Sequence, residues 1–568
     1  MCFKEEAKAE SSPLSATQTS GRALQIKSDL FAATTVTLVG IPQCLAYAMM
    51  SGIPPAYGLA TAAVPGFVAA LAGKSPHLVT GPTNTTGLLI LGALTPFLGA
   101  DGLIGESGLA IVATLTLMAG LVRIVAGLLG GANLVRFLPE SVLAGFAAGA
   151  GILIMVMQLD EGLGMSPVSD SGLEGELVAL WGQIQTGIRP AWPAILLTVG
   201  TAASIALGKR FAPKLPMALF VVVGGIALAK WCGMDASSGL ALVRDRSLVP
   251  NAWPVGAMPL FELPIIMDLF FPALAIALLG TLELAVSARA DGAQPDMPRE
   301  LHAQGLANVV GAFVSAFPAS ASLTRSALLK MGAAQTRLAA ALAALFCVPV
   351  LFFAGEWVGY IPQASLAGVL LVTAWRMANV ERLKRMFATA HETRILLIVT
   401  LVATLVLPLE WAVFLGAGLG IVLHLQHSST PRIRFVRPEG YRLIPIEDDD
   451  CIEVLVVEVS GELYFAAIEP LRKQVQLSVR CATRCVVFDL SNAHRLRYAA
   501  LQYFEELNRS LGGIGVNLIL SGVNLEFQSV LEGTKSKLVW HPCEAESDEC
   551  LRRCLHDLGC APQWPPPE

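Results

Sequence analysis

Phe317-Pro318-Ala319-Ser320-Ala321-Ser322-Leu323-Thr324-Arg325-Ser326, running into Ala327-Leu328-Leu329, is the stretch on which the fold turns. Pro and small polar residues break an apolar region, and a short apolar run follows. A counterpart lies earlier, at Val79-Thr80-Gly81-Pro82-Thr83-Asn84-Thr85-Thr86, running into Gly87-Leu88-Leu89-Ile90. Interrupted helices at corresponding places in two halves of a hydrophobic block point to a transporter's substrate site.

The surrounding composition is that of a polytopic membrane protein. Of 568 residues 54% are hydrophobic and only 15% charged, with a mean hydropathy of +0.61. Many of the 52 Gly and 34 Pro fall in apolar runs, which membrane helices tolerate better than soluble ones. The net charge of −5 comes with no basic, aromatic-interleaved stretch, so nucleic acid is not an expected partner. Residues 1–28 form a polar N-terminal segment without a cleavable signal, expected to stay cytoplasmic. The cysteines are irregularly spaced, seven of eleven falling between Cys451 and Cys560. That argues against a disulfide framework.

About fourteen stretches are candidates to cross a ~30 Å hydrocarbon core. They are 30–50, 57–72, 82–98, 109–128, 141–158, 191–208 and 215–231, then 265–288, 301–317, 322–331, 338–354, 361–375, 395–407 and 411–425. The predicted cytoplasmic turns hold Lys74, Arg123, Arg376, Arg382 and most other Lys and Arg of the block. The predicted outer loops hold Arg189, Arg244 and Arg246 and an acidic cluster at Asp160, Glu161, Asp170, Glu174 and Glu176. This positive-inside asymmetry predicts an even number of crossings with both termini in the cytoplasm. The broken segments stand third in each half, so seven plus seven crossings give two repeats of opposite orientation.

A transmembrane transport domain is thus expected over 29–427, a linker over 428–440 and a small α/β domain over 441–560, with a disordered tail at 561–568. Strands are expected at 454–459, 484–490 and 516–521, and helices at 467–479 and 499–511.

Glu283 lies inside the apolar run 278–287. A carboxylate at that depth costs roughly 2.5–3.5 kcal/mol and normally faces a partner or a wet cavity. It reads either as a cation-coupling site, with Ser287 one turn on, or as one half of a structural ion pair. Arg325, just inside the second broken helix, suits an anion, because the free N–H groups and dipole of a helix start already favour negative charge. The alternative is that Arg325 only pairs Glu283. Thr83, Asn84, Thr85, Ser320, Ser322 and Thr324 supply small donors, or simply allow close helix packing. Two helix N-termini give roughly +1, and Arg325 and Glu283 cancel. Protonating Glu283, or pairing it with Na⁺, would raise the site to about +2 and tie a dianion to a cation. Gln43 and Tyr47, four apart, could line the same cavity. Gly145, Gly149, Gly416, Gly418 and Gly420 read as close-approach positions. No phosphate-binding loop or metalloprotease motif is found. His541, Cys543, Cys550, Cys554, His556 and Cys560 match no common zinc spacing. No catalytic or metal site is therefore expected: the chain reads as a secondary transporter, not an enzyme.

Pro42-Gln43-Cys44-Leu45-Ala46-Tyr47-Ala48, Gly52-Ile53-Pro54-Pro55-Ala56-Tyr57-Gly58-Leu59, Gly81-Pro82-Thr83 and Arg136-Phe137-Leu138-Pro139-Glu140 resemble the SulP (sulphate permease) anion transporters. So do Arg299-Glu300-Leu301 with Gln304-Gly305-Leu306-Ala307-Asn308, and the 317–326 run. The tail resembles a STAS domain. The resemblance implies a mainly α, 7+7 inverted-repeat fold with core and gate domains as in uracil permeases, usually dimeric. It implies an anion site using Gln43, Tyr47, Thr83, Asn84, Ala321, Ser322, Leu323 and Arg325, with Glu283 close by. Sulphate, bicarbonate or a C4-dicarboxylate is the expected cargo, moved by an elevator-like motion. H⁺ is the first coupling ion considered, then Na⁺ symport or anion exchange. No other cofactor is implied. A nucleobase permease and a non-transporting sensor or scaffold for the STAS domain are the other classes. Phosphorylated STAS domains carry two Asp-x-Ser-Gly elements. Here Asp489-Leu490-Ser491-Asn492 survives, but Arg497-Tyr498-Ala499-Ala500 replaces the second and lacks the acceptor serine. Dimer contact, trafficking or docking of a cytoplasmic protein partner remains for this domain.

Overall fold

Every apolar stretch named above falls on a helix in the computed structural model. It describes residues 14–99, 102–130, 139–165, 173–187, 189–211, 215–234, 238–247, 249, 251–289, 295–428, 431–439, 442–446, 452–463, 465–479, 483–494, 496–542 and 551. The chain divides into two units, Met1–Gly420 and Ile421–Glu568.

The first half of the membrane unit begins with α1 (Leu14–Met50) and α2 (Pro55–Ala72), the strand β1 (Thr80–Gly81) and α3 (Asn84–Leu94). It continues through α4 (Leu109–Leu128), α5 (Glu140–Met157), α6 (Leu159–Leu163), α7 (Leu173–Gln185), α8 (Trp192–Phe211), α9 (Met217–Trp231) and α10 (Val243–Arg246). The second half opens with α11 (Leu263–Arg289), α12 (Met297–Ala312), the strand β2 (Ser320–Ala321) and α13 (Leu323–Met331). After it come α14 (Leu338–Leu345), α15 (Cys347–Phe353), α16 (Gly355–Gly359), α17 (Gln363–Ala378), α18 (Val380–Phe387), α19 (His391–Val406) and α20 (Leu409–Ser428). Among the described residues, five helical stretches are long and apolar enough to cross a membrane: Gln25–Met50, Pro55–Ala72, Glu106–Leu128, Glu140–Leu163 and Leu263–Ala288. With 11 and 9 residues, α3 and α13 extend only about 16 and 14 Å, half of a ~30 Å core.

Packing between the halves is reciprocal. α3 lies against α11 and α13 against α1; α2 packs on α14 and α12 on α4. The strands pair antiparallel, Thr80 opposite Ala321 and Gly81 opposite Ser320. Exchange of equivalent partners is what two oppositely oriented repeats produce. α1–α4 and α11–α15 form one packed group. The other contains α5, α6, α8, α17 and α19, with α5 bound closely to α19. There a Cβ at Gly145 would stand 2.6 Å from the Leu397 carbonyl, and one at Gly149 3.0 Å from that of Leu401, so these glycines set the helix spacing. Gly416 and Gly420 are equally tight, but Gly418 has open space beside it and carries no such constraint.

Two expectations shift. The 301–317 stretch ends as helix at Ala312, and Ser315, at φ +63°, turns the chain out of the helix. Arg123 does not lie in a cytoplasmic turn: it sits within α4 with only 1% of its surface exposed. Five residues from a helix end, it could snorkel outward, yet it bends inward because two buried carbonyls need a donor.

In the second unit β3 (Arg432–Glu439) and β4 (Arg442–Pro445) precede β5 (Val454–Glu462), α21 (Phe465–Ser478), β6 (Cys485–Asp489) and β7 (Ala493–His494). α22 (Tyr498–Gly512), β8 (Asn517–Val523), α23 (Leu525–Gly533) and β9 (Val539–Pro542) complete it. The sheet order is β4-β3-β5-β6-β8-β9, parallel from β5 to β9, with β7 beside the end of β5. The core packs Phe488, Phe504 and Phe527 with Leu455, Val457 and Leu520. The stretch 432–439, expected as linker, is an edge-side strand bonded to β5. Cys543, Cys550, Cys554, His556, Cys560, Arg136 and Asp170 lie outside the described residues.

Candidate functional site

A broken helix at membrane depth exposes backbone groups that lipid cannot satisfy, so the protein must. Here neighbouring side chains do it. Thr83 caps α3, its hydroxyl accepting from Thr86 N–H, and Ser322 caps α13 by accepting from Arg325 N–H. Ser322 N–H donates to Val79 O (2.8 Å) and Val79 N–H to Ser326 Oγ (2.9 Å), extending the β1–β2 pairing. α12 pins both interrupted stretches from behind. Glu300 accepts the N–H groups of Lys74 and Ser75, Gln304 donates to Thr80 Oγ1, and Asn308 both accepts Ala319 N–H (2.7 Å) and donates to Ala319 O (3.1 Å). From α2, Thr61 accepts the Phe317 N–H.

Among the described residues two buried arginines act crosswise. Arg325, on the second half, donates to the Pro82 carbonyl of the first (2.8 Å) and reaches Cys44 Sγ (3.4 Å). Arg123, on the first half, donates to the Ala319 carbonyl of the second (2.6 Å) and to Ile276 O (3.3 Å). A Cβ on Gly81 would stand 2.9 Å from both Arg325 Nη atoms; only glycine lets the strand pass.

Both half-helix starts open onto one cavity of about 340 Å³ at the seam between the two helix groups. Its wall includes Gln43 and Tyr47 of α1, Thr83, Asn84 and Thr85, Glu283 of α11, and Ala321 through Thr324. α5 closes it with Leu143, Ala144, Phe146 and Ala147. Asn84 bridges to Met377 on α17, and Gln43 Oε1 is buried without a hydrogen-bond partner. Glu283 accepts from the hydroxyls of Thr83 (3.1 Å) and Thr85, with Ser320 also within reach.

Of the residues named from the sequence, Gln43, Tyr47, Thr83, Asn84, Glu283, Ala321, Ser322 and Leu323 come together in that wall. Arg325 and Ser287 do not. The Arg325 guanidinium lies behind the strand pair, 3% exposed, so its charge reaches the cavity through space. Ser287 is buried one turn beyond Glu283, its hydroxyl unpartnered. Sequence reasoning missed Arg376 and Arg382, which join the wall from α17 and α18. Arg382 is held by Glu140 (3.1 Å), while Arg376 has no ion-pair partner among the described residues. Arg123 was legible as an ionisable residue inside an apolar run, a feature that by default signals function.

With this geometry in view, residues 26–400, more than half of the chain, match the sulfate permease family, and residues 445–543 match the STAS domain. The chain belongs to the sulfate permease family. Among its relatives in that family is the putative sulfate transporter YvdB of Bacillus subtilis, 25% identical over 90% of this chain and 94% of the relative. The bicarbonate transporter BicA of Synechocystis is 25% identical over 84% of each chain. In fold, this chain superposes on the anion transporter SLC26A9 with a TM-score of 0.81 at 15% identity, covering 94% of this chain and 91% of that one.

Proposed function

We propose that the chain carries a small inorganic or carboxylate anion, sulphate, bicarbonate or a C4-dicarboxylate, across the bacterial inner membrane. One observation carries this: two half-helix N-termini from opposite halves, tied together by β1–β2, open onto a single cavity. Such starts present free N–H groups and about half a positive charge each. The sulphate and bicarbonate relatives support the cargo class. A neutral nucleobase would gain nothing from the two cations placed behind and beneath the site.

The cavity lies at the seam between two helix groups, where sliding of the α1–α4/α11–α15 group against the other would carry it across in an elevator-like motion. With Arg376 and Arg382 on the cytoplasmic side, as the charge asymmetry requires, the cavity opens inward. Both termini are then cytoplasmic, with fourteen crossings. The second unit serves dimer contact or docking of a cytoplasmic partner. The test is uptake into liposomes containing the purified full chain, with sulphate, bicarbonate, fumarate and chloride offered in turn. Saturable uptake of at least one is expected; uptake of none, with the protein folded and inserted, contradicts the proposal.

A further inference from the structure

Among the described residues two arginines, Arg123 and Arg325, are buried beside the broken helices. Arg123 is fully buried on α4, and its contacts, the Ala319 and Ile276 carbonyls, are neutral. Its guanidinium lies against Gly280, one turn before Glu283, where any Cβ would overlap it outright. The Ser320 hydroxyl, which donates to Gly280 O (3.3 Å), stands between the arginine and the carboxylate. Among the described residues, the carboxylate acting on Arg123 is that of Glu283, and the cations acting on Glu283 are Arg123 from α4 and Arg325 from α13. From α1 the neighbouring titratable groups are Tyr47 and Cys44, the latter against Arg325. Arg376 and Arg382 stand at the solvated rim and are screened.

Two half-helix starts contribute about +1 together. Arg123, Arg325 and an ionised Glu283 add one net positive charge. The sum, about +2, arises without a proton or metal ion on Glu283, whose ionised form the Thr83 and Thr85 hydroxyls favour by donating to it.

We propose that Arg123 is a resident cation: it neutralises Glu283 from beneath, leaving Arg325 and both helix starts to balance a divalent anion with no co-bound H⁺ or Na⁺. This rests on the anion-transport reading and makes divalent transport a matter of exchange or of the anion's own gradient. Arg123 is a positioning residue, since its guanidinium does not line the cavity.

The test uses the full chain with R123Q, R123K, E283Q and R123Q/E283Q. In liposomes, wild-type sulphate uptake is expected to change less than twofold when an inward H⁺ or Na⁺ gradient is imposed. R123Q should lower sulphate uptake tenfold or more while lowering bicarbonate uptake less than threefold, because the lost charge matters most to a dianion. R123K should hold the sulphate loss below threefold, and removing the carboxylate as well, in R123Q/E283Q, should recover most of it. A strong gradient requirement in the wild type, equal loss of both anions in R123Q, or a double variant no better than R123Q overturns the proposal. If the wild type carries none of sulphate, bicarbonate, fumarate and chloride, the transport reading fails by itself. Thermal unfolding in detergent then decides the pairing: the double variant should melt above R123Q, and melting at or below it overturns the pairing.

Discussion

Thr83 does two jobs that can be separated. Its hydroxyl caps α3 and also donates to Glu283. Thr83→Val keeps the shape and removes both roles. Loss of such a cap costs about 1 kcal/mol, and the buried carboxylate loses a donor worth about 1.5–3 kcal/mol. A lower unfolding midpoint and reduced uptake are expected, with Thr83→Ser restoring both. If Thr83→Val melted and transported like wild type, the hydroxyl would have neither role. Asp296, the exposed cap of α12, has a simple pH signature. The Lys74 ammonium beside it, then the Arg299 N–H, hold its carboxyl below the usual carboxylate range. A depressed value stabilises the fold above the unfolded pKa and loses that stabilisation as pH falls through the folded one. Asp296→Asn should therefore lower the unfolding midpoint slightly at pH 7, and the gap should close below about pH 4. A gap independent of pH would contradict the ion pair.

α12 shows what a run of polar residues in an apolar chain is for. Glu300, Gln304 and Asn308, at helical spacing, hold the 74–75 turn, β1 and the residue before β2. Asn308→Ala leaves the Ala319 N–H buried without an acceptor, at a cost of about 1–3 kcal/mol. It should lower both melting temperature and uptake, whereas a wild-type profile would mean that β2 holds without α12. These residues were visible as a motif, but their partners, 11 and more than 200 positions away, were not. The same limit hid where Arg123 points. Helical periodicity tells which face a residue occupies, not whether a guanidinium near a helix end turns outward to water or inward to carbonyls. β3 was passed over for a different reason. Arg432 to Phe435 alternate charged and apolar as a strand should, but Val436 breaks the pattern; Pro438 is tolerated because β3 pairs with β5 only as far as Val436 and has β4 alone beside it thereafter.

For the molecule as a whole, the membrane unit was legible because its apolar stretches are long and its two interruptions stand at matching places. What the sequence withheld was which charges meet. Arg325 proved to reach the cavity only as a field, and Arg376 and Arg382, expected in a cytoplasmic turn, came into its wall from α17 and α18. The central claim is that the half-helix starts bind the anion, and Leu323 allows a direct test. It is the first residue of α13, half-exposed in the cavity wall. An acidic residue at a helix start is favourable for the helix, so Leu323→Asp should fold as well as wild type while placing a negative charge where the anion must sit. Sulphate uptake by full-length Leu323→Asp in liposomes should fall at least tenfold with an unchanged unfolding midpoint, and Leu323→Asn should keep most of it; wild-type uptake in Leu323→Asp would contradict the account.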